Sequence, residues 1–154
     1  MIPKITRTER TPQPFLVPRR VDDPPGGVLV DSTWGMIKPI QIAAGVRTVG
    51  EVEVIAHLEE GLPVVDTRAS DYYSVSTIPG ARNIPYPEVV ARMDELDRNR
   101  PVILFCNGPQ CGQSPTAIRA LIRAGYLPEK ILYYRGGLHD WLTLGLPMVP
   151  GQES

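Results

Sequence analysis

The chain is poor in residues that would cross-link it or hold a metal. Its 154 residues include two cysteines and two histidines. Cys106 and Cys111 share one segment, so they could not tie distant parts of a fold together, and two cysteines in a chain this long make a poor structural framework. Neither His57 nor His139 is near a cysteine in sequence, which argues against a zinc site. The formal net charge is −1, with no long run of either sign. Nucleic acid and membrane surfaces are therefore not expected partners. No apolar stretch approaches transmembrane length, and the N-terminus lacks the apolar core of a secretion signal. A soluble cytoplasmic protein without metal or cofactor is the expectation.

What is present suffices for one domain and an extension. Hydrophobic residues make up 42% of the chain, enough for a packed core. Proline is uneven: Pro3, Pro12, Pro14, Pro18, Pro24, Pro25 and Pro39 all fall in the first forty residues. Regular helix is excluded there, and Pro24-Pro25-Gly26-Gly27 marks a turn or break. Roughly the first 25 residues read as an extended arm, with short strands at Val28–Val30 and Ile40–Ile42. The arm could lie over the domain, stay loose, or reach a partner protein. The resulting division is a proline-rich extension over 1–45, a domain over 46–150 and a tail over 151–154.

From Val46 onward strands and helices alternate. Thr48 and Glu51 fit a capping box, opening a helix whose apolar face would be Val52, Ile55 and Leu58, with His57 partly exposed. Gly61 is a plausible stop. Leu62–Val65, Val102–Phe105 and Ile131–Tyr134 read as buried strands. Ser70–Tyr73 suggests a brief helix, Ile78–Ala81 a turn, and Pro87–Leu96 an amphipathic helix. Ser114 as N-cap with Pro115 in the first turn starts a helix over Thr116–Ala124. Its face is Ala117, Ile118, Leu121 and Ile122. Leu138–Leu144 is a last short helix after Gly136-Gly137. This alternation predicts an α/β domain around a mainly parallel sheet.

The segment Cys106-Asn107-Gly108-Pro109-Gln110-Cys111-Gly112-Gln113-Ser114 joins a buried strand to a helix start. Cys106 is thus placed at a strand's carboxyl end, where reactive groups collect in parallel sheets. Helix amides and dipole there favour a thiolate. Gly108 and Gly112 would permit unusual backbone angles in a loop whose amides point inward. Ser114 could cap the helix, donate to the sulfur, or both.

Residues 48–149 resemble the rhodanese-like domain. The pieces that match are Val64-Val65-Asp66-Thr67-Arg68, the turn from Ile78 to Pro85, Val102 to Cys106, Ala124-Gly125-Tyr126, and Arg135 to Trp141. The resemblance implies a three-layer α/β sandwich with a small sheet flanked by helices. It also implies sulfur transfer through a persulfide on Cys106. The partners would be a sulfur donor and a thiol or cyanide-like acceptor, with a protein acceptor conceivable through the arm. Asp66 and Arg68 match a motif that pins loops near the strand end. Arg135 is the candidate for drawing an anion toward Cys106. Trp141 reads as core and His139 as surface. Where the family often has histidine before Ile-Pro-Gly, this chain has Thr77.

Two departures matter. Family sulfurtransferases usually place five residues between the cysteine and the helix-opening residue, whereas here Asn107 to Gln113 intervene. Those residues also carry no charge, which predicts that thiosulfate, a dianion, is a poor donor. The second departure is Cys111, which resembles the second cysteine of a Cys-Asn-Gly-Pro-x-Cys loop subgroup. It could resolve a persulfide or sulfenic acid on Cys106 to a disulfide, or be passive. A thiol–disulfide switch using both cysteines is therefore the alternative to a sulfur carrier. Phosphatase or arsenate chemistry needs an arginine where this loop has Gly112, and is disfavoured.

Overall fold

A computed structural model describes residues 18–23, 25, 27–29 and 37–152. The chain enters through a small antiparallel hairpin, β1 (Arg19–Val21) and β2 (Gly27–Leu29). It continues as β3 (Arg47–Val49), α1 (Glu51–Glu59), β4 (Val64–Asp66), α2 (Ser70–Val75) and β5 (Arg82–Asn83). Two short 3₁₀ turns, Tyr86–Glu88 and Met93–Glu95, lead to β6 (Val102–Phe105). Then follow α3 (Gln113–Arg123), a third 3₁₀ turn, β7 (Ile131–Tyr134) and α4 (Gly137–Thr143). Strands β3 to β7 form one parallel sheet in the order β3-β7-β6-β4-β5.

The alternation of side chains along each strand splits the core in two. Val65, Val102, Leu104, Ile131 and Tyr133 face α3, where Ala117, Ile118 and Leu121 close the layer. Val64, Ile103, Phe105, Leu132 and Tyr134 face the other way, against Val54 of α1 and Leu138 and Trp141 of α4. A sheet covered on both faces explains why β6 and β7 are apolar at every position. Leu104 is 1% exposed, so cutting it back to alanine would cost about 2–5 kcal/mol.

Several expected elements shift. Ile40–Ile42 is bend rather than strand: its chain leaves Pro39 and turns at Gly45, whose φ is +86°, and Ile42 plugs the α3-side core instead. Thr48 lies within β3 and bonds the Ile40 carbonyl. The cap of α1 is Gly50, whose amide donates to the Glu53 carboxylate at 2.9 Å. That start turns Val54 and His57 inward and leaves Val52 79% exposed. His57 is buried, its Nε2 2.9 Å from the Pro101 carbonyl. The expected helix over Pro87–Leu96 is 3₁₀ and turn; the β-branched pair Val89-Val90 loses side-chain freedom in a helix. The hairpin gives the described part of the arm a fold, with Pro25 in its turn, and Arg20 reaches the Gly145 and Leu146 carbonyls. Residues 1–17 and Val30, which were part of the expected arm and strand, lie outside the described residues.

Candidate active site

The carboxyl ends of β4 and β6 lie side by side, because Asp66 pairs with Phe105 in register. Thr67 stitches them together: its amide and its hydroxyl each donate to the Phe105 carbonyl at 3.0 Å. The next residue of β6's path is Cys106, 1% exposed.

The loop beyond Cys106 is held from below by α4. The amides of Leu138 and His139 donate to the carbonyls of Cys106 (3.1 Å) and Asn107 (2.8 Å). Gly137 makes that approach possible. Its φ is +58°, and a Cβ there would fall 2.4 Å from the Cys106 carbonyl oxygen. Gly108 and Gly112 have ordinary φ values, contrary to the expectation of unusual angles. Gly108 is needed for space instead, since a Cβ would stand 3.2 Å from His139 Cβ and 3.4 Å from the Gly136 carbonyl. A turn closes the loop, with the Cys111 amide bonding the Gly108 carbonyl at 3.0 Å. Pro109 and Gln110 form its tip, partly exposed.

Ser114 is not the cap of α3. The helix begins at Gln113 with Gly112 as N-cap, two residues before the expected cap. Ser114 is buried in the first turn, its hydroxyl 2.8 Å from that of Thr67. The Ser114 hydroxyl and amide lie on the Cys106 side of the loop and favour the charged form of that thiol. The Cys106 sulfur also lies 3.8 Å from the Cys111 carbonyl oxygen, and the Cys111 sulfur 3.7 Å from Gln113 Oε1.

The two thiols influence each other within the loop, and this reverses one expectation. Burial, joined by the neighbouring Cys111 sulfur, pushes the Cys106 thiol well above its ordinary value, against the pull of Ser114. Cys111, less buried, is drawn down to about 7. The largest cause is the hydrogen bond from Cys106, followed by the Gln113 and Asn107 amides and the charge of Arg68. Within the pair, the proton is therefore lost more readily from Cys111 than from Cys106.

Beside this loop stands a fully bonded network. Arg68 and Asp66 form a buried ion pair at 2.7 Å, with Arg68 Nε also on the carboxylate. Thr77 donates to Asp66 Oδ2 at 2.9 Å, occupying the place where a family histidine often stands. Asn83 donates to the Asp66 and Arg68 carbonyls.

Among the described residues, three buried polar atoms have no hydrogen-bond partner: Asn107 Oδ1, Tyr126 Oη and Tyr133 Oη. Tyr133 is raised by burial and by the negative charge of Cys106 and Cys111, so its hydroxyl stays protonated. Sequence reasoning passed over it, because an apolar run gives no sign of which tyrosine lies under a loop. Arg135 donates through Nε and a terminal nitrogen to the Lys38 carbonyl, at 3.2 and 3.0 Å. Trp141 is core, its indole bonded to the Pro147 carbonyl at 2.7 Å. His139 is partly exposed, 4.0 Å from the adjacent Asp140. Among the described residues no group of histidine, cysteine and carboxylate side chains is placed to hold a metal, and no helix is long and apolar enough to cross a membrane.

This arrangement is a cysteine at the end of a central parallel strand, under the first turn of a helix. Comparison with known proteins agrees: the family model of the rhodanese-like domain matches residues 51–144. The chain belongs to the rhodanese-like domain family. It is 31% identical over 90 residues to a sulfurtransferase of Allochromatium vinosum, covering 58% of this chain and 80% of that protein. It is 33% identical over 100 residues to the HTH-type transcriptional regulator Rv0324 of Mycobacterium tuberculosis, covering 64% of this chain and 43% of the regulator. A similar match, 30% over 83 residues, links 54% of it to 43% of the putative sulfur carrier protein YrkF of Bacillus subtilis. The chain thus spans less than half the length of the latter two. Among solved structures, thiosulfate sulfurtransferase from Pseudomonas aeruginosa superposes with a TM-score of 0.58 at 29% identity, covering 70% of this chain and 21% of that one. Two of these relatives and the solved structure are named as a sulfur carrier or sulfurtransferases.

Proposed function

We propose that this protein is a sulfurtransferase or persulfide carrier in which Cys106 bears the mobile sulfur. The observation that supports this most is the setting of Cys106, buried at the carboxyl end of the central strand β6 and beside the first turn of α3, where the Ser114 hydroxyl and amide favour its thiolate. Donors so placed stabilise a negative sulfur without a metal. Cys106 holds its proton more tightly than Cys111 does; loss of that proton to Cys111 makes Cys106 the nucleophile. Its thiolate then attacks the outer sulfur of a donor R–S–SH, the donor's S–S bond breaks, and R–S⁻ leaves with the bonding electrons. Cys106–S–SH remains and gives its outer sulfur to a thiol or cyanide-like acceptor in a second displacement. Loop residues Asn107 to Gln113 bring no charged side chain, so persulfides serve better than thiosulfate. A protein acceptor could dock through the N-terminal extension.

The test is peptide-resolved mass spectrometry of the loop after exposure to thiosulfate or a small persulfide. One added sulfur on Cys106, removable by cyanide and absent in Cys106→Ser, is the expected result. Unmodified Cys106 under every donor would refute the reading.

A redox switch is the second reading, favoured by two free thiols in one short loop, with the Cys106 sulfur 3.8 Å from the Cys111 carbonyl oxygen. Hydrogen peroxide would oxidise the Cys111 thiolate to a sulfenic acid, its O–O bond breaking and hydroxide leaving. Attack by the Cys106 thiol would then expel water and leave a disulfide. That reading fails if mild peroxide never yields the Cys106–Cys111 disulfide.

A further inference from the structure

The loop has no lysine, arginine or carboxylate of its own, yet a cation stands at its rim. It comes from the extension, far away in sequence. The Lys38 amide donates to the Pro109 carbonyl at 2.8 Å, and Arg135 grips the Lys38 carbonyl from the other side. Backbone bonds therefore fix Lys38 against the loop tip. Its side chain runs to Gly112, where a Cβ would meet Lys38 Cε at 3.4 Å and Nζ at 3.7 Å. Gly112 separates Cys111 from the first turn of α3. Among the described residues, no acceptor or carboxylate pairs with the Lys38 ammonium.

We propose that Lys38 is the anion-binding residue of this site. Its ammonium takes the anionic end of the sulfur donor, the thiolate or sulfite that departs as the outer sulfur moves to Cys106. This rests on the sulfur-transfer reading and extends it in two ways. The extension is part of the active site, and the charge missing from the loop is supplied from outside it. One ammonium balances one negative charge, which suits a departing thiolate better than a dianion. Arg135, expected to attract the anion itself, holds the strap that presents Lys38 and is a positioning residue.

The experiment compares the full chain with Lys38→Met and Lys38→Arg. Because Lys38 is anchored through its backbone, either side chain leaves the strap in place. The readout is the rate at which the loop cysteines are alkylated by iodoacetate, divided by the rate with neutral iodoacetamide. An ammonium at the rim favours the anionic reagent. The ratio is expected to fall about three- to tenfold in Lys38→Met and to return in Lys38→Arg, with salt shrinking the wild-type ratio. An unchanged ratio in Lys38→Met overturns the proposal, whatever the activity. Persulfide formation on Cys106 is followed in the same samples with a small persulfide as donor. A falling ratio without any persulfide leaves the anion site standing and sinks the sulfur-transfer reading. Persulfide formation with an unchanged ratio does the reverse.

Discussion

Two strands of the sheet end side by side and end differently. Beyond β4, the charged groups Asp66 and Arg68 are buried, and each is bonded to the other and to neighbours. At the end of β6 and on neighbouring β7, the polar groups are left partly unmatched: among the described residues Asn107 Oδ1 and Tyr133 Oη lack partners, and the thiols make long contacts of 3.7–3.8 Å. A saturated network is rigid and specifies one arrangement. An undersaturated one leaves an acceptor and a donor open to a group that arrives later. Thr67 joins the two, bonding both the β6 carbonyl and Ser114, so the rigid end holds the reactive end in place.

The contrast can be broken most sharply at Cys106. Cys106→Ser is expected to lower sulfur transfer on the order of 10³-fold or more, while costing no more than about 1 kcal/mol of stability. Both follow from one enzyme assay and one denaturant titration. Arg68→Met is the opposite case. It leaves Asp66 buried and unpaired and is expected to cost about 3–5 kcal/mol in the same titration. If the two variants behaved alike, the distinction between the strand ends would disappear.

Gly137→Ala tests the floor shared by both. A positive φ and a contact of 2.4 Å cannot be relieved by a flexible neighbour, because the atom met is backbone. A loss of about 2–4 kcal/mol is expected by thermal unfolding.

The thiol pair gives a pH signature. Cys111 lowered to about 7 should be alkylated faster as pH rises through that value. In Cys106→Ala the largest cause of the lowering is gone, and the midpoint should move up toward the ordinary thiol value. The sign for stability follows: a lowered thiol favours the folded state above the unfolded thiol value, and this is lost as pH falls through about 7. A midpoint unmoved by Cys106→Ala would show that the thiols do not act as a pair. The smallest effect is expected from Tyr133→Phe. Removing a hydroxyl that has no partner among the described residues should change stability by less than about 1 kcal/mol, measured by chemical denaturation.

Much of this was legible in the chain. Continuous apolar runs at Val102–Phe105 and Ile131–Tyr134 marked the two central strands, and both are buried throughout. The position of Cys106 after a strand and before a helix was readable for the same reason. Boundaries were less legible. Thr48 and Ser114 both suit a helix cap, yet strand pairing claims Thr48 and the buried contact with Thr67 claims Ser114. Local capping is worth about 1 kcal/mol, so tertiary contacts override it easily.

The residues that set the site's charge and shape were not legible. Lys38 lies in a proline-rich stretch with no local pattern, and only folding carries it to Gly112. The requirement at Gly137 is a contact with Cys106, a residue remote in sequence. Which sulfur holds the charge depends on burial and on a hydrogen bond between side chains, neither of which spacing encodes. The sequence by itself determined three of the sheet's five strands, the alternation of strands with helices, and the place of Cys106 after a strand and before a helix, because periodicity and local chemistry are written residue by residue. Tertiary structure alone decided the electrostatics, because charge and desolvation act through space between segments that the chain keeps far apart.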